Sequence, residues 1–248
     1  RSRRRRCLVW QRPRSRCSGK YNEATQAFDE VIRLVPDQAE AWSSKGSALL
    51  AQSKFDEAIK AYDEVIRLDP EDADAWSGKG RALAARGKYN EATLAYDEAI
   101  RLDPNNADAW NEKGNALYEQ GKNDEALEAY NESIRLDPNY ALAWNNKGSA
   151  LIGQGKYDES IKAYDESIKL DPNYVWAWNN KGLALYYQGK YDEAITCYNE
   201  SIRLDPDYAD AWNGKSLALY DQGKYDESIQ AYNKSLEIDP DYAYAWNG

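Results

Sequence analysis

Apolar and polar residues follow helical spacing along most of this chain, in short blocks that stop and restart. Over residues 107–140, Trp110, Gly114 and Leu117 fall at i, i+4 and i+7. That places them on one face of a helix running from about Ala109 to Gln120. Gly121 follows, the residue type that tolerates the left-handed backbone just past a helix end. Asp124 and Glu125 open a second block, where carboxylates suit the positive end of the helix dipole. Ala126, Tyr130, Ser133 and Ile134 continue the 3.6-residue period. Asp137-Pro138 ends it, because proline disfavours helix at the residue before it. The pattern predicts a helix hairpin.

The block recurs at a constant interval. Trp42, Trp76, Trp110, Trp144, Trp178, Trp212 and Trp246 are 34 residues apart, and Pro36, Pro70, Pro104, Pro138, Pro172, Pro206 and Pro240 keep the same step. A fixed period of this length marks a solenoid of stacked units. With each Trp at unit position 4, there are six complete units: 39–72, 73–106, 107–140, 141–174, 175–208 and 209–242. Residues 19–38 match the second helix of an incomplete unit, and 243–248 match the truncated start of a further one. Gly at position 8 and Ala at position 20 are small enough for close helix approach. Aromatic rings at positions 4, 17 and 24, such as Trp144, Tyr157 and Tyr164, fill the space between hairpins, each burying roughly 150–250 Å². One hairpin cannot bury this face alone, so stability is expected from stacking on neighbours.

These residues resemble the tetratricopeptide (TPR) repeat family. The pattern stands here as Trp76, Lys79, Gly80, Ala82 and Leu83, then Gly87 through Ala92, then Ala95, Tyr96, Glu98 and Ile100 to Pro104, and it covers residues 19–248. The resemblance implies an all-α fold, a right-handed α-solenoid (superhelix) of 34-residue helix-turn-helix units. It also implies that the first helix of each pair lines a concave groove, through positions 2, 5, 6, 9, 12 and 13. Position 7, commonly large and apolar in the family, is Lys in all six units (Lys45, Lys79, Lys113, Lys147, Lys181, Lys215). This column is read as structural, its stems covering apolar surface. Ser53 replaces a turn glycine, Asn123 replaces an aromatic residue and Ser216 replaces a close-contact glycine, which suggests local softness.

On those groove positions stand Asn111, Asn145, Asn179 and Asn213, then Asn115, Asn146 and Asn180, whose amides can pair with an extended backbone. Trp176, Tyr186, Tyr187 and Tyr220 add aromatic surface, and Glu40, Asp74, Asp108 and Glu112 form an acidic patch. Trp176 breaks a row of mostly acidic residues; a partner anchor and an inter-repeat packing contact are equally good readings of it. The family's clamp for carboxylate-terminated chaperone tails needs Lys and Arg where this chain has Ser, Asn, Asp or Gly, so that function is rejected. The expected ligand is an extended basic or neutral peptide.

Composition narrows the function classes. Of 248 residues 30% are charged, yet 12% are aromatic, which suits a thin fold with much surface rather than a disordered chain. There is no His, which removes His-based catalysis and metal ligation, and the three Cys (7, 17 and 197) match no zinc spacing. The paired carboxylates recur at helix starts, so the dipole explains them. No enzyme activity, no cofactor and no metal are expected. No stretch reaches a membrane span, no signal core is present, and a cytoplasmic location is the default. Residues 1–16 carry eight Arg and no acid; the remaining 24 basic residues face all 42 acidic ones, so the body is −18 where the whole chain is −10. Segment 1–18 fits no repeat. It is read first as a cloning scar, with a nucleic-acid arm or a basic ligand for an acidic TPR groove as alternatives; the acidic body opposes nucleic acid as a partner. The absence of Met marks the chain as a fragment or processed form. The runner-up function is a self-assembling solenoid, its uncapped terminal repeats stacking head to tail.

Overall fold

The computed structural model describes residues 15–240, with side chains from residue 21 onward. Among the described residues the regular elements are thirteen helices. They belong to two compact units that divide after Pro104. The first unit holds α1 (Ser15–Leu34), α2 (Ala39–Ala51), α3 (Phe55–Leu68), α4 (Ala73–Ala85) and α5 (Tyr89–Leu102). The second holds α6 (Ala107–Glu119), α7 (Asn123–Leu136), α8 (Ala141–Gly153), α9 (Tyr157–Leu170), α10 (Val175–Tyr187), α11 (Tyr191–Leu204), α12 (Ala209–Asp221) and α13 (Tyr225–Ile238). The helix of the incomplete unit starts at Ser15, so it takes in the last residues of the segment assigned to the arm. Arginine-rich residues 1–14 and the truncated start at 243–248 lie outside the described residues.

Two kinds of turn set the period. Inside a hairpin, the residue after the C-cap takes a left-handed backbone, and the chain folds back on itself. At Gly155 φ is 74°, and the next residue, Lys156, donates its N–H to Leu151 O at 3.0 Å. Ser53 occupies the same place at φ 60°, a conformation that costs a residue with a Cβ. Between hairpins the Asp-Pro turn is closed by the Asp side chain: Asp69, Asp137, Asp171 and Asp205 each accept the N–H two residues on, at 3.0–3.1 Å. The next Trp then donates its indole N–H back to the proline carbonyl, as in Trp178 to Pro172 at 3.0 Å. Trp and Pro keep one period because they are hydrogen-bonded to each other across that turn.

In the first five of the six described hairpins the core is one tyrosine. Tyr62, Tyr96, Tyr130, Tyr164 and Tyr198 are at most 2% exposed. The glycine at position 8 makes room for the ring: a Cβ on Gly148 would lie 2.6 Å from Tyr164 Cε1, and one on Gly80 would lie 2.7 Å from Tyr96 Cε1. The alanines around it (Ala58, Ala92, Ala126, Ala194) are fully buried.

Within the second unit, successive first helices touch (α6 with α8, α8 with α10, α10 with α12), whereas α7, α9, α11 and α13 touch only their chain neighbours. The stack of this unit therefore bends toward its first helices, which present their free face on the inner side. In the first unit α2 and α4 touch in the same way.

Candidate functional site

The lysine column is structural. Each Lys Nζ sits over the Trp one turn earlier, 5.1–5.9 Å from the ring centroid in all six units. It also meets an aspartate of the preceding second helix, as in Lys45–Asp29 at 2.6 Å, Lys79–Asp63 at 2.7 Å and Lys181–Asp165 at 2.6 Å. The ammonium is thus spent on holding neighbouring hairpins together. Asn131 stands at the aspartate position facing Lys147, whose pKa is lowered by burial, with only partial compensation from Glu159.

The asparagines of the second unit bond mainly to one another. Asn146 Nδ2 donates to Asn111 Oδ1 at 3.0 Å and to Asn115 Oδ1 at 3.1 Å, and Asn180 Nδ2 donates to Asn145 Oδ1 at 3.1 Å. Asn145 donates to Asn146 at 3.2 Å, and Tyr130 Oη donates to Asn115 at 2.8 Å. Asn111, Asn145 and Asn179 are 0–8% exposed. They form a ladder beneath the surface, and their amides are not on the lining as the repeat positions implied. A buried amide that already holds its neighbour has little to offer a ligand backbone. Asn115, Asn146 and Asn180 remain half-buried and reach the surface, as does Asn213. The ladder stops at Gly214, which replaces the asparagine of the previous two rungs; Asn179 Oδ1 is buried there with no donor.

The aromatic residues separate into two places. Trp176 is half-buried at the start of α10, with Tyr174 edge-on at 5.4 Å. Tyr186 and Tyr187 end the same helix, ten residues later, about 15 Å along the axis at 1.5 Å per residue. Tyr187 is 43% exposed and stacks on Tyr157 at 5.5 Å; Tyr186 lies 5.7 Å from Tyr191 and donates to Asp221 Oδ2 at 2.7 Å. Burial and that carboxylate push the Tyr186 hydroxyl up to about 12. Tyr220 is 58% exposed and meets Tyr225 edge-on at 5.4 Å. The aromatics therefore frame the first-helix face at its two rims instead of forming one patch.

The acidic residues also divide. Glu40 and Asp74 are exposed on α2 and α4 of the first unit. Asp108 and Glu112 stand on α6 of the second, where Asp108 accepts Tyr140 Oη at 2.8 Å. Burial, then Asp108, raises the Tyr140 pKa. Tyr140, Tyr174, Tyr157 and Tyr191 were not among the expected site residues. The signal for the first two was Tyr at unit position 34, where Asp72 and Asn106 instead cap their helices by accepting Ala75 N and Ala109 N. Cys197 is a buried thiol whose pKa burial raises to about 11, so it is a packing group and not a nucleophile. Among the described residues no cluster of acids, Cys or His could hold a metal, and no helix is long and apolar enough to cross a membrane.

Known proteins bear on this architecture. The tetratricopeptide repeat family model matches residues 18–73, 44–107, 78–141, 111–175 and 179–243. No curated protein sequence matches the chain. Among solved structures, a chain of the APC/C hetero-tetramer Cut9-Hcn1 gives a TM-score of 0.78 at 22% identity, over 92% of this chain and 45% of that one. PilF of Pseudomonas aeruginosa gives 0.69 at 20% identity, covering 89% and 94%. YrrB, described as a TPR protein with an unusual peptide-binding site, gives 0.59 at 24% identity, covering 77% and 98%. This chain thus spans less than half of the chain in the first of these, and likenesses at such identities speak for the fold. With the family model matched five times between residues 18 and 243 and the hairpin geometry above, the chain belongs to the tetratricopeptide repeat family.

Proposed function

We propose that the chain is a protein-interaction scaffold that holds an extended basic or neutral peptide against the first-helix face of its second unit. The observation that carries this reading is aromatic surface that the repeat does not require. Trp176 occupies a position that holds Glu40, Asp74, Asp108, Leu142 and Asp210 in the other units. Position 13 holds Tyr187 here but Gly153 and Asp221 in the adjacent units, which fold identically. Packing tolerates all of these, so the rings are available to a partner. Between the two rims, Asn180 and Asn213 reach the surface and supply polar contacts, while the buried ladder below keeps Asn180 in orientation.

The test is Trp176→Ala. It is expected to weaken a cognate peptide by roughly 1–3 kcal/mol, measured by calorimetry, with the helical circular dichroism unchanged. Unchanged affinity in a fully helical variant would remove Trp176 from the site.

Head-to-tail self-association draws on a separate observation. On α13, Tyr225 and Ile229 are each 58% exposed, while their counterparts Tyr157, Ile161, Tyr191 and Ile195 are half-buried. This face fits the first helix of another hairpin. Under this reading Ile229→Lys abolishes concentration-dependent sedimentation of the chain, and a chain that is monomeric at every concentration rejects it.

A further inference from the structure

The turn-side rim of the second unit carries more than a share of peptide contact. Tyr157, Tyr187, Tyr186 and Tyr191 form a continuous series of rings with centroids 5.5, 5.8 and 5.7 Å apart. Tyr220 occupies the place of Tyr186 on the next first helix. Tyr187 covers one face by stacking on Tyr157, while the other ring contacts are tilted or edge-on and leave ring surface uncovered. Tyr187 and Tyr220 show 43% and 58% of their surface to solvent. The rim is also acidic. Each turn brings one lysine and an Asp-Glu pair, as in Lys190, Asp192 and Glu193. The first carboxylate of each pair is anchored: Gln188 Nε2 donates to Asp158 and Gln222 Nε2 to Asp192, both at 2.7 Å. Asp221 adds a further carboxylate, held by Tyr186. Fixed carboxylates beside open aromatic faces suit one side chain above others. A guanidinium is planar, weakly hydrated and always charged; it can stack on a ring while donating N–H groups to a carboxylate. A lysine ammonium can sit over a ring, as the lysine column does over Trp, but it is strongly hydrated and has no plane to lay flat on an exposed ring.

We propose that this tyrosine rim, centred on Tyr187 and Tyr220, is an arginine-reading surface that selects arginine over lysine in the bound peptide. The proposal rests on the peptide-binding reading above and adds the identity of the side chain read at one rim. Gln188, Gln222 and the Tyr186 hydroxyl hold carboxylates in place, the rings accept the guanidinium plane, and the 34-residue repeat sets successive arginine sites one unit apart. Net negative charge alone would attract either cation; the rings supply the discrimination.

The experiment uses the full chain and two fluorescent extended Gly/Ser peptides at the same salt concentration, one with spaced arginines and one with lysines at the same places. The arginine peptide is expected to bind about fivefold or more tightly than the lysine peptide. Tyr187→Ala and Tyr220→Ala are expected to remove that ratio, and Tyr187→Phe, which keeps the ring, to preserve it. Trp176→Ala is expected to weaken both peptides equally and leave the ratio intact. Equal binding of the two peptides overturns the arginine reading while leaving the scaffold reading to stand on Trp176. A ratio that survives both alanine variants also overturns it. Failure of both peptides to bind overturns both readings. Self-association of the chain that the two alanine variants abolish, with no arginine preference, assigns the rim to a second copy and equally overturns the proposal.

Discussion

In α3 and α5 the buried residue at unit position 27 is Val65 or Ala99; in α7, α9 and α11 it is Ser133, Ser167 or Ser201. The serines donate to the carbonyls of Ala107, Ala141 and Val175, at the start of the first helix in the same hairpin, at 2.7, 2.8 and 3.1 Å. The first unit closes the same space with aliphatic groups. A parallel difference runs along the first helices. In the first unit Ser43, Ser77, Ser44 and Gly78 occupy the positions that carry the asparagine ladder in the second. Yet α2 to α5 have the same 13- and 14-residue lengths as the helices of the second unit, and the same tyrosine core. The lesson is that ring-on-glycine packing and the Trp–Pro link carry the repeat, while polar chemistry can vary over it without changing the hairpin. That freedom lets one unit carry a polar ladder that the other lacks.

The largest expected effect tests the shared part. Tyr164→Ala and Tyr62→Ala should each cost about 3–5 kcal/mol in chemical denaturation, as for other large buried rings. Similar losses in both units would support a common tyrosine core; a much smaller loss at Tyr164 would mean that the polar ties carry the second unit.

The ladder comes next. Asn146→Ala strips the donor from Asn111 and Asn115 and the acceptor from Asn145, leaving buried amides unpaired. The expected cost is about 1–3 kcal/mol, read from the denaturation midpoint. A neutral result would show that the ladder is decorative.

Exchanging the two core solutions should have a smaller effect. Ser167→Ala is expected to lose about 1 kcal/mol, for the hydrogen bond and a small void. Ser167→Val, the solution used at Val65, should be close to neutral in thermal melts because an apolar group replaces the donor. A valine variant worse than the alanine variant would show that the serine pocket has a shape the first unit does not share.

The smallest change concerns the lysine column. Asn131→Asp should restore the pair seen at Lys79–Asp63 and stabilise by about 0.2–1 kcal/mol near neutral pH. The sign with pH can be checked. Burial lowers the folded Lys147 pKa, so the unfolded chain holds more protons on that residue just below 10.5, and stability rises with pH there. The substitution should shrink that rise, and its own gain should disappear as the new carboxylate protonates in acid. Parallel pH profiles of the two proteins would exclude the pair.

Much of this was readable along the chain. The 34-residue step, the hairpin limits, the glycine under the tyrosine and the structural role of lysine all follow from residue type and interval. The site was less readable. Asn145 and Asn146 are adjacent in sequence, and both were expected to line the groove; one is buried and the other half-buried, because neighbouring helix residues point about 100° apart and first helices pack closely on one side. Trp176 and Tyr187 were expected to act together, and the length of α10 holds them at opposite rims.

The unit is legible in the chain, since a period of Trp, Gly, Tyr and Pro encodes local contacts: turns, caps and the buried ring. Which polar side chains are used up depends instead on how the hairpins stack. Whether an asparagine is a ladder rung or a free contact depends on the residue opposite it on the next helix, as Asn146 opposite Asn111 and Gly214 after Asn180 demonstrate. A hydrogen bond between residues 35 apart leaves no mark in local spacing, because its partners are set by how hairpins stack and not by the helix that carries either one.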